Sequence, residues 1–116
     1  MKREDELFEA AIKAYGMTAQ LDVLQEECAE LICAVHAVKR NKKGHMEMII
    51  DELADVKIMV DQIVFAMNIK NAVYSREQFK LSRLADRISQ HKFMTLKSQY
   101  LNIDLQTLKS WDDSKA

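Results

Sequence analysis

The chain has 116 residues, enough for one domain with a single core, but few enough that part of its apolar surface can need a partner. Apolar residues make up 48% of the sequence, which excludes a disordered protein, and no uncharged run is long enough for a membrane helix. The 17 basic and 18 acidic side chains give a net charge of −1, so no global field attracts the chain to nucleic acid or to an anionic membrane.

Apolar residues recur in steps of three and four, no proline occurs, and there are only two glycines. This pattern predicts an all-α fold. Gly16, the polar run from Asn41 to His45 and the run from Asn68 to Asn71 divide the chain into four helices. The first segment, MKREDELFEA, is charged and lacks the apolar region of a signal peptide, which predicts a cytoplasmic protein.

The first predicted helix runs from about Glu4 to Tyr15 and ends at Gly16 as a C-terminal cap. The second begins near Thr18 and the third near Met46, and each carries a long apolar stripe. The second helix's stripe is Leu21, Leu24, Cys28, Leu31, Val35 and Val38. The third helix's stripe is Met46, Ile49, Leu53, Val56, Val60, Ile63 and Met67. Two such helices predict a long antiparallel hairpin closed by the polar loop.

The fourth predicted helix begins at Ser75, whose hydroxyl would cap the first turn together with Gln78, and it continues through Ile88. The apolar pattern then decays, so residues 91–116 are predicted to be a C-terminal tail or short helix without an assigned role. The whole chain, residues 1–116, is predicted to be one domain with its core in residues 4–90. Cys28 and Cys33 match no zinc or redox spacing, and we expect both to be small core residues.

Four acidic residues stand beside the two long stripes, Glu27 and Glu30 on the second helix and Glu52 and Asp55 on the third. Because each helical residue advances about 100° around the axis, both pairs are displaced from their stripe in the same sense. The pairs are also symmetric about position 41, where the predicted hairpin reverses. We therefore expect all four carboxylates to line one side of the groove between the helices, whereas Glu26 points to solvent.

Four converging carboxylates repel one another at pH 7 unless protons or cations compensate. Ligation by oxygen alone suits Mg²⁺, with Mn²⁺ as the alternative ion, and such a site favours phosphoryl chemistry over redox chemistry. A di-iron site of the helical-bundle type is disfavoured, because it needs Glu-x-x-His pairs and none of the three histidines follows a glutamate by three residues.

The segments EECAE and ELAD, with 21 residues between them, resemble the Glu-Glu-x-x-Glu … Glu-x-x-Asp signature of the all-α nucleoside triphosphate pyrophosphohydrolases. This MazG-like superfamily includes MazG, the dimeric dUTPases and the phosphoribosyl-ATP pyrophosphatases. The resemblance extends from Leu21 to about Ile88. It implies a catalytic, Mg²⁺-binding set made of Glu27, Glu30, Glu52 and Asp55.

The resemblance also implies an activity, namely attack of a metal-activated water at the α-phosphorus of a nucleoside or deoxynucleoside triphosphate, which releases the monophosphate and pyrophosphate. Relatives often carry Lys-x-x-Arg on the following helix, and KLSR supplies Lys80 and Arg83 at that spacing. The pair is expected to bind the outer phosphates. The alternative for these two residues is a solvated basic face.

Two other functions stay open at this point. The first is a non-catalytic helical module for protein interaction or dimerisation, in which the acidic residues are solvated. The second is a nucleic-acid-binding regulator, which the near-neutral charge disfavours. For the enzyme, the small core predicts a homodimer, or a tetramer of two dimers, in which two hairpins form a four-helix core. No membrane or nucleic-acid partner is expected.

Overall fold

A computed structural model describes residues 2–101, apart from the side chains of residues 97, 100 and 101. These residues form four α-helices and no strand, which confirms the all-α prediction. The helices are α1 (Arg3–Tyr15), α2 (Met17–Lys39), α3 (His45–Met67) and α4 (Lys70–Leu101). None of them is both long and apolar enough to cross a membrane. Most of the predicted C-terminal tail, residues 102–116, lies outside the described residues.

The chain divides into two compact units, Met1–Asn71 and Ala72–Ala116. In the first unit α1, α2 and α3 pack against one another, and α2 contacts α3 most extensively. The buried apolar residues of this unit are Ala34, Ala37, Met59 and Ile63. Because an alanine side chain ends at Cβ, the two alanines of α2 let α3 approach closely.

The faces by which α2 and α3 meet agree only in part with the predicted apolar stripes, of which Ile63 is buried. Val35 and Leu53, both predicted in the core, are 41% and 53% exposed. Cys28 and Cys33 are exposed as well, so their prediction as core residues was wrong. Both helices carry apolar side chains on more than one face, and on α2 the small alanines, rather than the large side chains of the predicted stripe, are buried.

The polar run between α2 and α3 forms a compact turn. Asn41 and Gly44 adopt left-handed conformations, with φ of 51° and 77°. The Lys42 amide donates to the Ala37 carbonyl at 3.0 Å, and the His45 amide donates to the Lys42 carbonyl at 3.1 Å. These bonds satisfy backbone groups that the ends of the helices would leave unpaired.

Gly16 separates α1 from α2, and its predicted role as a C-terminal cap is confirmed. Its amide donates to the Ile12 carbonyl at 2.8 Å, with φ 88° and ψ 156°. This combination of angles is open essentially to glycine alone. The short connection therefore depends on a residue without Cβ.

Replacing Gly16 by alanine should lower the free energy of unfolding by about 1–3 kcal/mol, because an L side chain is strained at this backbone conformation. An added Cβ would meet no atom within 4 Å, so the cost is conformational rather than steric. Urea denaturation measures the change. Gly44→Asn is the matched control, since asparagine tolerates the left-handed conformation of that residue and should cost little. A Gly16→Ala variant as stable as the wild type would contradict this account.

The start of α4 differs from the prediction, because the helix begins at Lys70 and Ser75 lies inside it. Asn68, with φ 55°, ends α3 in a left-handed conformation, and the Ile69 amide donates to the Val64 carbonyl at 3.2 Å. This tight C-terminal cap leaves only two residues between the helices. With no proline or glycine beyond that point, α4 continues through residue 91 to Leu101.

Candidate metal centre

Three carboxylates converge where α2 faces α3. Glu27 extends from α2, whereas Glu52 and Asp55 extend from α3, and one carboxylate oxygen of each lies within 4.8 Å of the others. The spacing of three residues puts Glu52 and Asp55 on the same side of their helix. The structure thus brings together three of the four acidic residues predicted to bind metal.

Glu27 and Glu52 lie closer to the helix contact than their predicted place on the flank of the groove. Both are half-buried, and the Oε2 atom of each is buried without a hydrogen-bond partner among the described residues. A buried carboxylate oxygen without a partner costs free energy. A proton or a cation is therefore needed to compensate at this position.

The surroundings of these carboxylates favour their protonated forms. Burial, followed by the charges of Glu30, Asp55 and Glu52, raises the pKa of Glu27 from 4.5 to about 7. The pKa of Glu52 is also raised, first by burial and then by Glu30. Near neutral pH the cluster therefore holds both protons and negative charge, and a cation would displace the protons.

The fourth predicted ligand, Glu30, belongs to the same electrostatic cluster although it is exposed. Its carboxylate raises the pKa values of Glu27 and Glu52 by charge and by side-chain hydrogen bonding. The prediction for Glu26 is confirmed, because this residue is exposed and is not one of the three converging carboxylates. Within EECAE, Glu27 and Glu30 therefore belong to the acidic cluster, whereas Glu26 does not.

Lys80 and Arg83, the predicted phosphate-binding residues, both lie on α4 in the second unit. Both side chains are exposed, and their spacing places them on neighbouring parts of one helix face. Neither forms an ion pair with another described residue. Their charges are available to an anion, and phosphate binding stays a prediction.

Sequence reasoning missed one polar pair between α2 and α3. Gln20 and Gln62 are 7% and 4% exposed, and Gln62 Nε2 donates a hydrogen bond to Gln20 Oε1. Like Glu27 and Asp55, the two glutamines are equally distant from position 41 in the sequence. This symmetry is the sequence feature from which their proximity could have been predicted. A shift of one helix along the other would leave both amides buried and unpaired, so the pair stabilises the register that aligns the carboxylates.

Without metal, the stability of the chain should fall as pH rises from about 4.5 to about 7. The folded state holds a proton on Glu27 that the unfolded chain releases at lower pH, so deprotonation favours unfolding over this range. Melting curves recorded in EDTA at several pH values measure the effect. Glu27→Gln should flatten the dependence, whereas Glu26→Gln should leave it unchanged; equal slopes for both variants would contradict the assignment to Glu27.

The donor set of this centre consists of hard carboxylate oxygens, which suit Mg²⁺ or Mn²⁺ better than softer metals.

Comparison of the chain with models of protein families, with curated proteins and with solved structures gave no match.

Proposed function

We propose that this protein hydrolyses a nucleoside or deoxynucleoside triphosphate to the monophosphate and pyrophosphate, with Mg²⁺ as cofactor and Mn²⁺ as a substitute. The proposal depends on one observation, the convergence of Glu27, Glu52 and Asp55 with two buried carboxylate oxygens that have no hydrogen-bond partner in the described part of the chain. The spacing of EECAE and ELAD supports the same chemistry. In this proposal the enzyme acts in the cytoplasm.

The separation of the three oxygens suits a single small cation. Ligand oxygens about 2.1 Å from Mg²⁺ are at most about 4.2 Å apart when they lie on opposite sides of the ion. Only one pair of the three oxygens can lie on opposite sides, and adjacent ligand oxygens are about 3 Å apart. The three oxygens, which lie within 4.8 Å of one another, would therefore move closer together to bind the ion. Since three carboxylates leave part of an octahedral shell to other ligands, water and phosphate oxygens can fill the rest.

The chain's own residues divide the work of such a site. A bound divalent cation would lower the pKa of a water molecule and neutralise the charge on phosphate oxygens. Glu27 and Glu52 would hold the ion from the buried side of the groove, and Asp55 and Glu30, both exposed, from the solvent side. Lys80 and Arg83 would bind the outer phosphates, the arginine through its two-pronged guanidinium.

The decisive experiment is an assay of a panel of nucleoside and deoxynucleoside triphosphates with Mg²⁺, in which pyrophosphate and orthophosphate are measured separately. Attack at the α-phosphorus should release pyrophosphate from at least one member of the panel. Release of orthophosphate alone would contradict the proposal, because it requires cleavage at an outer phosphate. The panel also identifies the preferred base and sugar.

The second part of the proposal concerns assembly, in which α2 and α3 form an antiparallel hairpin and a second copy completes a four-helix core. Large or soft apolar side chains exposed on these two helices support it, since contiguous apolar surface usually marks an interface. On α2 they include Cys28, Ile32 and Val35, and on α3 they include Met46, Ile50, Leu53, Val60 and Met67. A tetramer would pair two such dimers.

Light scattering coupled to gel filtration should therefore give the mass of a dimer or tetramer for the wild-type chain. Leu53→Glu should reduce this mass, because a charge would replace an exposed apolar side chain at the proposed interface. Asp51→Lys, on the same helix, is the control and should keep the wild-type mass. Circular dichroism tests whether the Leu53→Glu chain stays helical; a helical wild-type monomer would overturn the proposed assembly.

The same exposed apolar surface favours one alternative function, a non-catalytic module for helical interaction. In that case the acidic cluster would have no ligand, and divalent cations would change neither stability nor activity. The response to metal thus separates the two functions.

A further inference from the structure

A cavity of about 330 Å³ lies in the first unit, between the start of α1 and the end of α3. Asp61, one of its lining residues, follows Glu52 by nine residues, or two and a half helical turns. The cavity therefore opens on the side of α3 opposite to the metal centre. Its volume is near the lower limit of the roughly 300–1,000 Å³ typical of sites for small molecules.

One wall of the cavity is apolar and aromatic. Phe8 from α1 and Phe65 from α3 lie with ring centroids 6.1 Å apart at an interplanar angle of 51°, and Val64 lies beside them. All three side chains are half-buried, so helix packing holds them in place while part of each side chain stays accessible. This wall suits the apolar body of a small ligand.

The remaining wall carries charges of both signs. The acidic residues of the lining are Glu4, Asp5 and Asp61, and the basic ones are Lys2 and Lys70. None of the five forms an ion pair with another described residue. Opposite charges that share a small cavity without pairing are available to a ligand that carries both.

We propose that this cavity binds a small zwitterion, an α-amino acid with a large apolar side chain. The ammonium group would meet Asp5 and Asp61, where carboxylates and a nearby aromatic ring both favour a cation. The carboxylate would meet Lys2 and Lys70.

A ligand with a charge of only one sign fits this lining less well than a zwitterion. An organic anion would face three carboxylates, whereas an organic cation would leave both lysines without a partner. The side chain of the amino acid would cover the rings of Phe8 and Phe65 and supply the apolar part of the binding free energy. This proposal does not depend on the proposed hydrolysis of nucleotides.

Three probes with one aromatic body and different charges test the proposal, namely L-phenylalanine, phenethylamine and 3-phenylpropanoate. Each is titrated into the full chain in EDTA, and chemical shifts of backbone amides are followed by NMR. L-Phenylalanine should bind at least about fivefold more tightly than phenethylamine, since it gains the pairing with the lysines, and 3-phenylpropanoate should not bind. Because metal and nucleotide are absent, failure here is distinct from failure of the proposed function.

Asp61→Asn should weaken the binding of L-phenylalanine by about fivefold, and Lys70→Gln should reduce its advantage over phenethylamine. Both residues are exposed, so neither change should disturb the fold. Asp51→Asn, on α3 but outside the cavity, is the matched control and should leave binding unchanged. Equal binding of the three probes, no binding of any, or full affinity in Asp61→Asn would overturn the proposal.

Discussion

Mg²⁺ or Mn²⁺ should raise the melting temperature of the wild-type chain by about 5 °C when the ion is present at ten times its Kd, which corresponds to about 1.4 kcal/mol. The reason lies in two buried carboxylate oxygens, one on Glu27 and one on Glu52, for which the described residues supply no hydrogen-bond partner. A cation would satisfy these oxygens and offset the repulsion among the surrounding charges. Differential scanning fluorimetry at pH 8, with and without EDTA, measures the shift.

Glu52→Gln should abolish this rise, because an amide is a poor ligand for Mg²⁺ and leaves only two carboxylates in the converging set. In EDTA at pH 8 the same variant should be at least as stable as the wild type, since a neutral amide removes the repulsion that raises the pKa of its neighbour. This comparison separates loss of metal binding from loss of folding.

Glu26→Gln is the matched control, because Glu26 is exposed, lies on the same helix and is outside the three converging carboxylates. It should respond to Mg²⁺ as the wild type does. A wild-type chain indifferent to both cations would favour the non-catalytic module, and a full response in Glu52→Gln would place the ion elsewhere on the chain.

Asp55→Asn should lower kcat/KM for pyrophosphate release by at least about 100-fold. Changes to groups that merely support a metal ligand typically cost about 10–100-fold, so the loss of a ligand should cost at least as much. Asp55 is exposed, and its replacement should leave the fold intact. The assay uses the best substrate of the triphosphate panel, with pyrophosphate as the product measured.

Excess Mn²⁺ provides a further comparison for Asp55→Asn. If the variant fails mainly because it binds metal weakly, a higher concentration of Mn²⁺ should restore part of its activity. Activity equal to that of the wild type at limiting Mg²⁺ would remove Asp55 from the site. Glu26→Gln should keep wild-type kinetics under all of these conditions.

The four-helix organisation follows from local features of the amino-acid sequence. Gly16 and Asn68 interrupt the apolar periodicity, and the structure places both in left-handed or glycine-only conformations at helix ends. The start of α4 escaped prediction, because Ser75 and Gln78 resemble a capping pair although Asn68 already completes the turn. A local signal identifies a possible helix end but not which of two competing ends is used.

The proximity of Glu27, Glu52 and Asp55 was also predictable, since helical spacing and a common midpoint relate these residues without any knowledge of side-chain packing. Their burial was not. Which face of α2 meets α3 depends on Ala34 and Ala37, whose small side chains contribute little to an apolar average but allow close contact.

The all-α class, the breaks at Gly16 and near Asn41 and the alignment of the acidic residues could be predicted from the amino-acid sequence, because these depend on local signals and periodicity along one chain. Tertiary packing was needed to show that Glu27 and Glu52 lie half-buried with oxygens that no described residue pairs, that Gln20 and Gln62 form a buried hydrogen bond, and that a cavity lies on the side of α3 opposite to the metal centre. Burial and pairing depend on which surfaces meet, and apolar periodicity does not distinguish a face that packs within the chain from one that stays exposed.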